Sequence, residues 1–519
     1  MEYSVKHFAL ALAAFYVTSK IFSSLLRSYK NRQFAKAHGC LPAPYAPSPY
    51  LGFGVWWQTI KAAKVSRHVE YIIARYENGI TWQGKVAGSQ SMATIDPENI
   101  KAILATSFKD FDLGPARRES FFPLLGDGIF TLDGAGWEHS RALLRPQFSR
   151  EQVGDLESLE VHVQRLIDCI EKAGDVVDLQ PLLFGLTLDS ATEFLLGESV
   201  DSLLFTGEPA EIPGSFEDIK LKFGDAFNTS QQYVIFRTRM RSLRRFVNPK
   251  GFRDSNEICH KFIDHFVDLA LHPEKKQKKV ESQRQRYVFL DAIAQENKDP
   301  KYLRDQVLHV LLAGRDTTAS LLGFTILLLA KHPKVLKKLR EEIIDAFGTG
   351  KDGNGKAPTF ATLKDVTYLR YVLNEVLRLY PPVPLNGRIA NKNTVLPRGG
   401  GPDGLSPVFV PAGQRVDYSA KALHARKDLY GEDAMEFRPE RWGEGRGKGW
   451  EFLPFNGGPR ICLGQQYALT EASYTITRLL QMYDTIEPTE TSLPHEIPFH
   501  TTLTMAPKEA KVKLHLAAN

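Results

Sequence analysis

Cysteine is nearly absent from this chain: 519 residues hold four, at Cys40, Cys169, Cys259 and Cys462. So few, so scattered, exclude a disulfide framework and a zinc-ligand pattern, which makes a reducing, cytosol-facing compartment the default. A dominant charge is missing as well. The 66 Lys and Arg against 60 Asp and Glu leave a net charge of +6. No Lys/Arg run is dense enough to indicate a nucleic-acid partner. An acidic protein partner or an anionic membrane surface stays open, and most of the charges read as solvated surface. There is no internal repeat. What is present, 43% hydrophobic and 24% charged residues, is ordinary for a globular protein.

Long apolar runs are few too, and one stands at the N-terminus. FALALAAFYVTSKIFSSLL, Phe8 to Leu26, is near the ~20 residues that cross a bilayer. Lys20 lies toward one end of it, where a long stem can snorkel to the headgroups. Arg27, Lys30, Arg32 and Lys36 follow, against Lys6 alone upstream, so the positive-inside rule leaves the bulk of the protein in the cytosol. No small-residue cleavage site follows the run, which weighs against a signal peptide. A helix lying in the membrane interface is the other reading. Next comes LPAPYAPSPYLG, Leu41 to Gly52, whose four prolines stiffen it into a spacer. The expected organisation is an anchor over 1–30, a basic and proline-rich hinge over 31–52, and one body over 53–519.

Helical periodicity dominates that body, as in EQVGDLESLEVHVQRLIDCIEKAG from Glu151. The clearest long helix opens at Asp299-Pro300, a capping residue followed by proline at the first helical position. It is apolar nearly all round in its second half, so it belongs in the core and not in a bilayer. GTGKDGNGKAP, Gly348 to Pro358, reads as a surface loop, and LPRGGGPDGLSPVFVPAGQ as short strands joined by turns.

One cysteine differs from the others. Cys169 and Cys259 lie in helical stretches and read as small hydrophobes. Cys462 sits in FNGGPRICLGQQYAL, where Gly457, Gly458 and Gly464 remove side chains around it and Pro459 stiffens the loop. Backbone N–H groups of such a loop can stabilise a thiolate. A lone thiolate cannot build a structural zinc site, but it can be the single protein ligand of a haem iron. The segment resembles the haem-ligand signature of the cytochrome P-450 superfamily, through Phe455, Gly458, Arg460, Cys462 and Gly464. Haem b with an axial Cys462 thiolate is what the resemblance implies, on a mainly α fold with small peripheral β-sheets behind an N-terminal membrane-anchor helix. Residues 53–519 would then be one haem-thiolate catalytic domain.

Three further motifs occur in the order of that family. AGRDTT puts Asp316 beside Thr317 in the long helix. By residue type alone this is a satisfied polar pair, with the threonine bonded one turn back. By resemblance it lies over the distal face of the haem, where Gly314 allows close approach and Thr317 and Asp316 relay protons toward dioxygen. In NEVLRLYPPVP, Glu375 and Arg378 are three apart and share a helix face; a surface pair of this kind is worth under ~1 kcal/mol. The family buries such a pair with a third arginine, matched here by Arg441 of FRPERW, as a structural lock behind the cysteine loop. In WEHSR, Trp137 and Arg141 share a face, and by resemblance both reach a haem propionate, with Arg460, Arg388 of NGRIA and His424 as further partners. Arg145 and Lys448 would help to dock the reductase, unless they are simply solvated.

The implied reaction is monooxygenation: NADPH supplies two electrons through a reductase, one oxygen atom of dioxygen enters a C–H bond and the other leaves as water. AGRDTTA, LPRGGG and GEDAMEFRPERW resemble the fungal group that hydroxylates n-alkanes and fatty acids, often at the chain terminus, from the endoplasmic reticulum membrane with the catalytic domain in the cytosol. Pocket positions expected from the resemblance are Phe121, Phe122, Leu125, Val383, Leu385 and Leu503. Small Gly387 departs from that group, and it opens a second reading in which a reshaped pocket takes a specialised metabolite with an aliphatic or polyketide- or terpenoid-like skeleton. Haem-thiolate isomerases and haem sensors are the remaining alternatives. The acid–alcohol pair counts against both.

Overall fold

A computed structural model describes residues 2–149, 152, 154, 156–204, 212–275, 287–350, 356–489 and 497–517. Part of the expected loop at 348–358, and Glu151 at the start of one expected helix, lie outside the described residues. The chain groups into two compact units. The smaller comprises Met1–Trp57, Ala74–Asp112 and Gly387–Tyr418; the larger comprises Gln58–Ile73, Leu113–Asn386 and Ser419–Asn519.

The N-terminal apolar run lies within one helix, Glu2–Ala37, longer than the run itself. None of its most apolar window is covered by protein, so a bilayer is the natural partner for that surface. Its last turns are tied down: the Phe34 ring lies 5.6 Å from Phe409, and Asn393 Nδ2 donates to Asn31 Oδ1 at 2.9 Å. The proline-rich stretch is not a free spacer. Two of its N–H groups pair with strands: Leu41 donates to Pro407 O at 2.9 Å and Ala46 to Gln83 O at 2.8 Å. The small unit carries most of a five-stranded sheet, ordered Thr81–Val86, Ser89–Thr94, Arg415–Ser419, Leu385–Ala390 and Phe111–Asp112. The glycine-rich segment near Gly400 forms the antiparallel pair Thr394–Gly400 and Ser406–Val410.

The larger unit is helical and is organised on the helix Pro300–Lys331. Asp299 caps it, accepting from the Lys301 N–H at 3.0 Å, with Pro300 at the first helical position. From Asp305 to Ala330 every residue is buried except Ala313, Gly314 and Thr317. The helix serves two separate apolar cores. Leu303 to Leu312 pack with Phe121, Leu125, Phe223 and Phe227, whereas Ala319 to Ala330 pack with Leu369, Val372 and Leu480. The three open positions fall between these cores. Their spacing of one and three residues puts them on one face of the helix.

Candidate active site

The loop around Cys462 precedes the helix Gln465–Met482. It is closed on itself, because the Cys462 N–H donates to Phe455 O at 3.0 Å and the Ile461 N–H to Gly458 O at 3.0 Å. Gly458 adopts φ +67°, a conformation that strains any residue with a Cβ. Gly457 is required for another reason: a Cβ there would lie 2.5 Å from the Trp450 ring. The thiol opens into a cavity of about 640 Å³ that it shares with Trp137, Arg141, Arg145 and Phe148. That volume is within the range of cofactor sites. A Cβ on Gly464 would meet nothing nearer than Phe148 at 3.7 Å, so the space beside the sulfur is open. Desolvation by the surrounding protein raises the thiol's pKa, and the Gly464 N–H and the Arg141 charge act against that rise.

Trp137 and Arg141 project from the helix Gly134–Leu144. Two guanidinium groups flank the buried indole, Arg460 at 4.3 Å from the ring centre and Arg141 at 5.9 Å. Arg141 also donates to Ile461 O at 3.1 Å, tying its helix to the residue before the cysteine. Arg460 makes an ion pair with Asp133 at 2.7 Å and donates to Leu132 O at 3.1 Å. Asp133 in turn accepts from the N–H groups of Leu113 and Gly114, each at 2.9 Å. No motif pointed to Asp133. Its signal was its place just before the helix that carries Trp137.

On the long helix, Thr317 Oγ1 donates to Ala313 O at 2.7 Å. Asp316, one residue earlier, is turned away into the protein. It lies 3.2 Å from Arg315, whose Nη1 also donates to Asn228 Oδ1 at 2.6 Å. Desolvation raises the pKa of Asp316, opposed by Arg315, Gln231 and His500. The sequence reading missed Glu471, which is buried on the helix after the cysteine. Burial pushes it up to about 8, so near pH 7 it is largely a neutral acid.

Glu375, Arg378 and Arg441 form one fully buried cluster. Arg378 binds Glu375 through two N–H groups at 2.8 and 2.9 Å, and Arg441 Nε reaches it at 2.8 Å. The Trp442 indole N–H at 3.1 Å and the Arg438 N–H at 3.0 Å complete the set around that carboxylate. His424 belongs to this structural group and not to a propionate. Its Nδ1 is 3.2 Å from Arg378 O, and its Nε2 accepts from the Leu453 N–H at 2.9 Å. Burial pushes its pKa down to about 3, so it is a neutral spacer with both ring nitrogens in use.

The family model for cytochrome P-450 matches residues 42–514. The chain belongs to the cytochrome P-450 family. It is 48% identical over 487 residues to cytochrome P-450 52A12 of Debaryomyces hansenii, covering 93% of this chain and 93% of that one. It is 51% identical over 450 residues to cytochrome P-450 52A5 of Candida maltosa, 84% of each chain. A cytochrome P-450 monooxygenase, g430, of a Fusarium species is 47% identical over 486 residues, 91% of this chain and 84% of the relative. The protein is a haem-thiolate monooxygenase that takes electrons from NADPH through a reductase.

Within this P-450 the expected pocket residues separate. Phe121, Leu125 and Leu503 join one apolar cluster. Phe122 does not: Arg118 and Lys301 lie 4.7 and 5.3 Å over its ring on the outer side. Adjacent helical residues point about 100° apart, and here Phe121 turns into the core while Phe122 turns outward. Val383 is 41% exposed, and Leu385 packs on the other core. In the smaller unit, buried Arg388 donates to Gly387 O at 2.9 Å and lies 6.0 Å over the Tyr418 ring. Gly387 has a local cause. A Cβ there would come within 2.3 Å of Asp417 and 2.6 Å of Arg415, which form an ion pair at 2.7 Å. The small residue makes room for that pair.

Proposed function

We propose that this enzyme hydroxylates an aliphatic chain, a fatty acid or an alkane, at a haem held by Cys462. The observation that carries the reading is the break in burial at Ala313, Gly314 and Thr317, in a helix otherwise enclosed by two apolar cores. The residues around the cavity suit the cofactor: one thiol, an indole N–H, the guanidinium groups of Arg141 and Arg145, and free space beside Gly464. Cys462 would supply the thiolate that holds the iron, with Phe455, Gly458 and Gly464 shaping its loop. Trp137, Arg141 and Arg460 would face the propionates. When bound, the haem supplies the capture and reductive activation of dioxygen, and thiolate donation favours O–O cleavage.

The chain's own residues then supply protons and exclude water. Thr317 can release its hydroxyl from Ala313 O and present that proton on the open helix face. Asp316, with its raised pKa, can resupply it after a side-chain rotation. In the Thr317→Ala variant, product formed per NADPH consumed falls about 10- to 100-fold and peroxide rises, while the thiolate carbon monoxide spectrum is kept. Unchanged coupling would remove Thr317 from the relay.

The reading is tested by titrating the holoenzyme with fatty acids and n-alkanes, following the low- to high-spin shift, and then identifying products with reductase and NADPH. A saturable shift and a hydroxylated chain are expected; an intact thiolate spectrum with no shift across the panel would overturn the reading. The specialised-metabolite alternative rests on Gly387, against which the ends of the Arg415 and Asp417 side chains lie.

The same proposal places the protein on the endoplasmic reticulum membrane, anchored by the helix Glu2–Ala37, with the body in the cytosol and Arg145 and Lys448 toward the reductase. Deleting residues 2–25 keeps Asn31 and Phe34 and their contacts. It should move the protein from the membrane pellet to the soluble fraction without loss of the carbon monoxide spectrum. Full retention in the pellet would show that other surfaces hold the membrane.

A further inference from the structure

The basic residues that follow the apolar run are not spread evenly round the helix Glu2–Ala37. Ser24, Arg27, Ser28, Asn31 and Arg32 recur at spacings of three and four and so share one face. That face and Phe409, on the strand Ser406–Val410, enclose a cleft of about 350 Å³. Lys30 and Lys36 point away from it, roughly 110° or more from the cleft's midline at ~100° per residue. We infer that this cleft binds the phosphate of an anionic phospholipid, seated between Arg27 and Arg32. The inference rests on the membrane anchoring proposed above and gives that anchor a lipid partner.

Depth along the helix points to a lipid. The apolar run Phe8 to Leu26 rises about 27 Å at ~1.5 Å per residue, close to the ~30 Å of a hydrocarbon core. Its far end therefore meets the headgroups at Leu26. Arg27 is the next residue, and Arg32 lies about 7.5 Å further on. Headgroups add roughly 5–8 Å on each side of the core, so the two guanidinium groups stand at the level of the lipid phosphates. The opposite wall of the cleft is held at the same level. Asn393 Nδ2 donates to Asn31 Oδ1 at 2.9 Å, and the Phe34 ring lies 5.6 Å from Phe409.

Charge selects an anion. None of the residues lining the cleft is acidic. Neither Arg27 nor Arg32 has a hydrogen bond or an ion pair among the described residues. By contrast, Lys392, just before the strand Thr394–Gly400, is paired with Asp110 at 2.7 Å. A guanidinium takes a phosphate through paired N–H donors, and the hydroxyls of Ser24 and Ser28, one turn apart on the same face, add two more donors. The choline of a zwitterionic lipid would bring a cation to a site that already holds two, so a net negative headgroup is favoured. A lipid seated there touches the helix and the hairpin at once, and it would fix the angle between that hairpin and the bilayer.

The test reconstitutes the full-length holoenzyme in bilayers of phosphatidylcholine mixed with phosphatidic acid. Native mass spectrometry then counts the lipids of each kind that stay bound when the protein is released. Wild type should retain phosphatidic acid over phosphatidylcholine by about 5- to 30-fold, the scale set by two cations at a membrane surface. Arg27→Gln with Arg32→Gln should bring that preference below about twofold. Lys30→Gln with Lys36→Gln removes the same charge from outside the cleft and should keep most of it. Ser28→Phe fills the cleft with every charge in place and should lower the preference about fivefold. The carbon monoxide spectrum of each variant reports that its body is folded. Equal losses in the two double variants would reduce the effect to general surface charge and overturn the site, as would wild-type retention in Ser28→Phe. Inorganic phosphate that strips the lipid at matched ionic strength would put a soluble anion in the cleft and overturn the lipid assignment. A wild-type protein that enters none of these bilayers would overturn the anchor itself, a separate and recognisable failure.

Discussion

Replacing Cys462 with serine should abolish the thiolate spectrum of the reduced carbon monoxide complex and lower hydroxylation by on the order of a thousandfold or more, the scale set by losing a group at the reacting centre. Among the residues around the cavity, Cys462 supplies the one thiol. Cys169 is occupied at Leu203 O, 3.3 Å away, and Cys259 is fully buried in an apolar core that raises it to about 12. A serine hydroxyl at 462 would keep the loop's hydrogen bond to Phe455 O, which is made by the backbone, so the fold should survive. The variant therefore separates ligation from folding. Retention of the thiolate spectrum in Cys462→Ser would mean that another residue ligates, and the assignment would fall. A milder companion is Arg141→Ala. Removing the charge that opposes the rise in the thiol's pKa should raise the pH at which the thiolate spectrum is lost to the thiol form.

How much of this was readable beforehand depends on what each residue answers to. The cap and proline at Asp299-Pro300, the buried character of the long helix and the pairing of Glu375 with Arg378 and Arg441 follow from local chemistry and from motif spacing, and each lies where expected. The break in burial at Ala313, Gly314 and Thr317 could be guessed only from Gly314, because exposure depends on what the neighbouring helices fail to cover. Three readings failed for lack of partners. His424 reads as a donor until Arg378 O and the Leu453 N–H are seen to occupy both nitrogens. Phe122 is as apolar as Phe121, and only the helix phase decides which one faces inward. Gly387 reads as space for a substrate, but the ends of the Arg415 and Asp417 side chains, from another strand, lie against it.

The second large effect is structural: Glu375→Gln should leave less than about a tenth of the protein as haem-loaded enzyme. The Glu375 carboxylate accepts five N–H groups, from Arg378 twice, Arg441, Trp442 and Arg438. Glutamine can accept at only one of its two positions, and it leaves buried Arg378 without a counter-charge and Arg441 with Asp433 alone, at 3.4 Å. Breaking a buried pair in this way costs about 3–5 kcal/mol, a large share of the ~5–15 kcal/mol that holds a typical domain folded. The loss falls on a particular segment. Arg378 also binds the carbonyls of His424 and Ala434 at 2.9 and 2.5 Å, and Arg441 those of Tyr430 and Asp433, each at 3.0 Å. Those carbonyls belong to the chain leading to the cysteine loop, so the cluster pins that approach to the helix Thr367–Leu379. Breaking the exposed Arg118–Asp127 pair, 2.7 Å long, is the control and should cost under ~1 kcal/mol. The readouts are the urea midpoint and the ratio of carbon monoxide-reactive haem to protein. Wild-type values of both in Glu375→Gln would refute the lock. Because none of the three residues lies at the reacting atoms, the haem-loaded fraction that does form should turn over at the wild-type rate per haem, and a fall in that rate would instead give Glu375 a part in the chemistry.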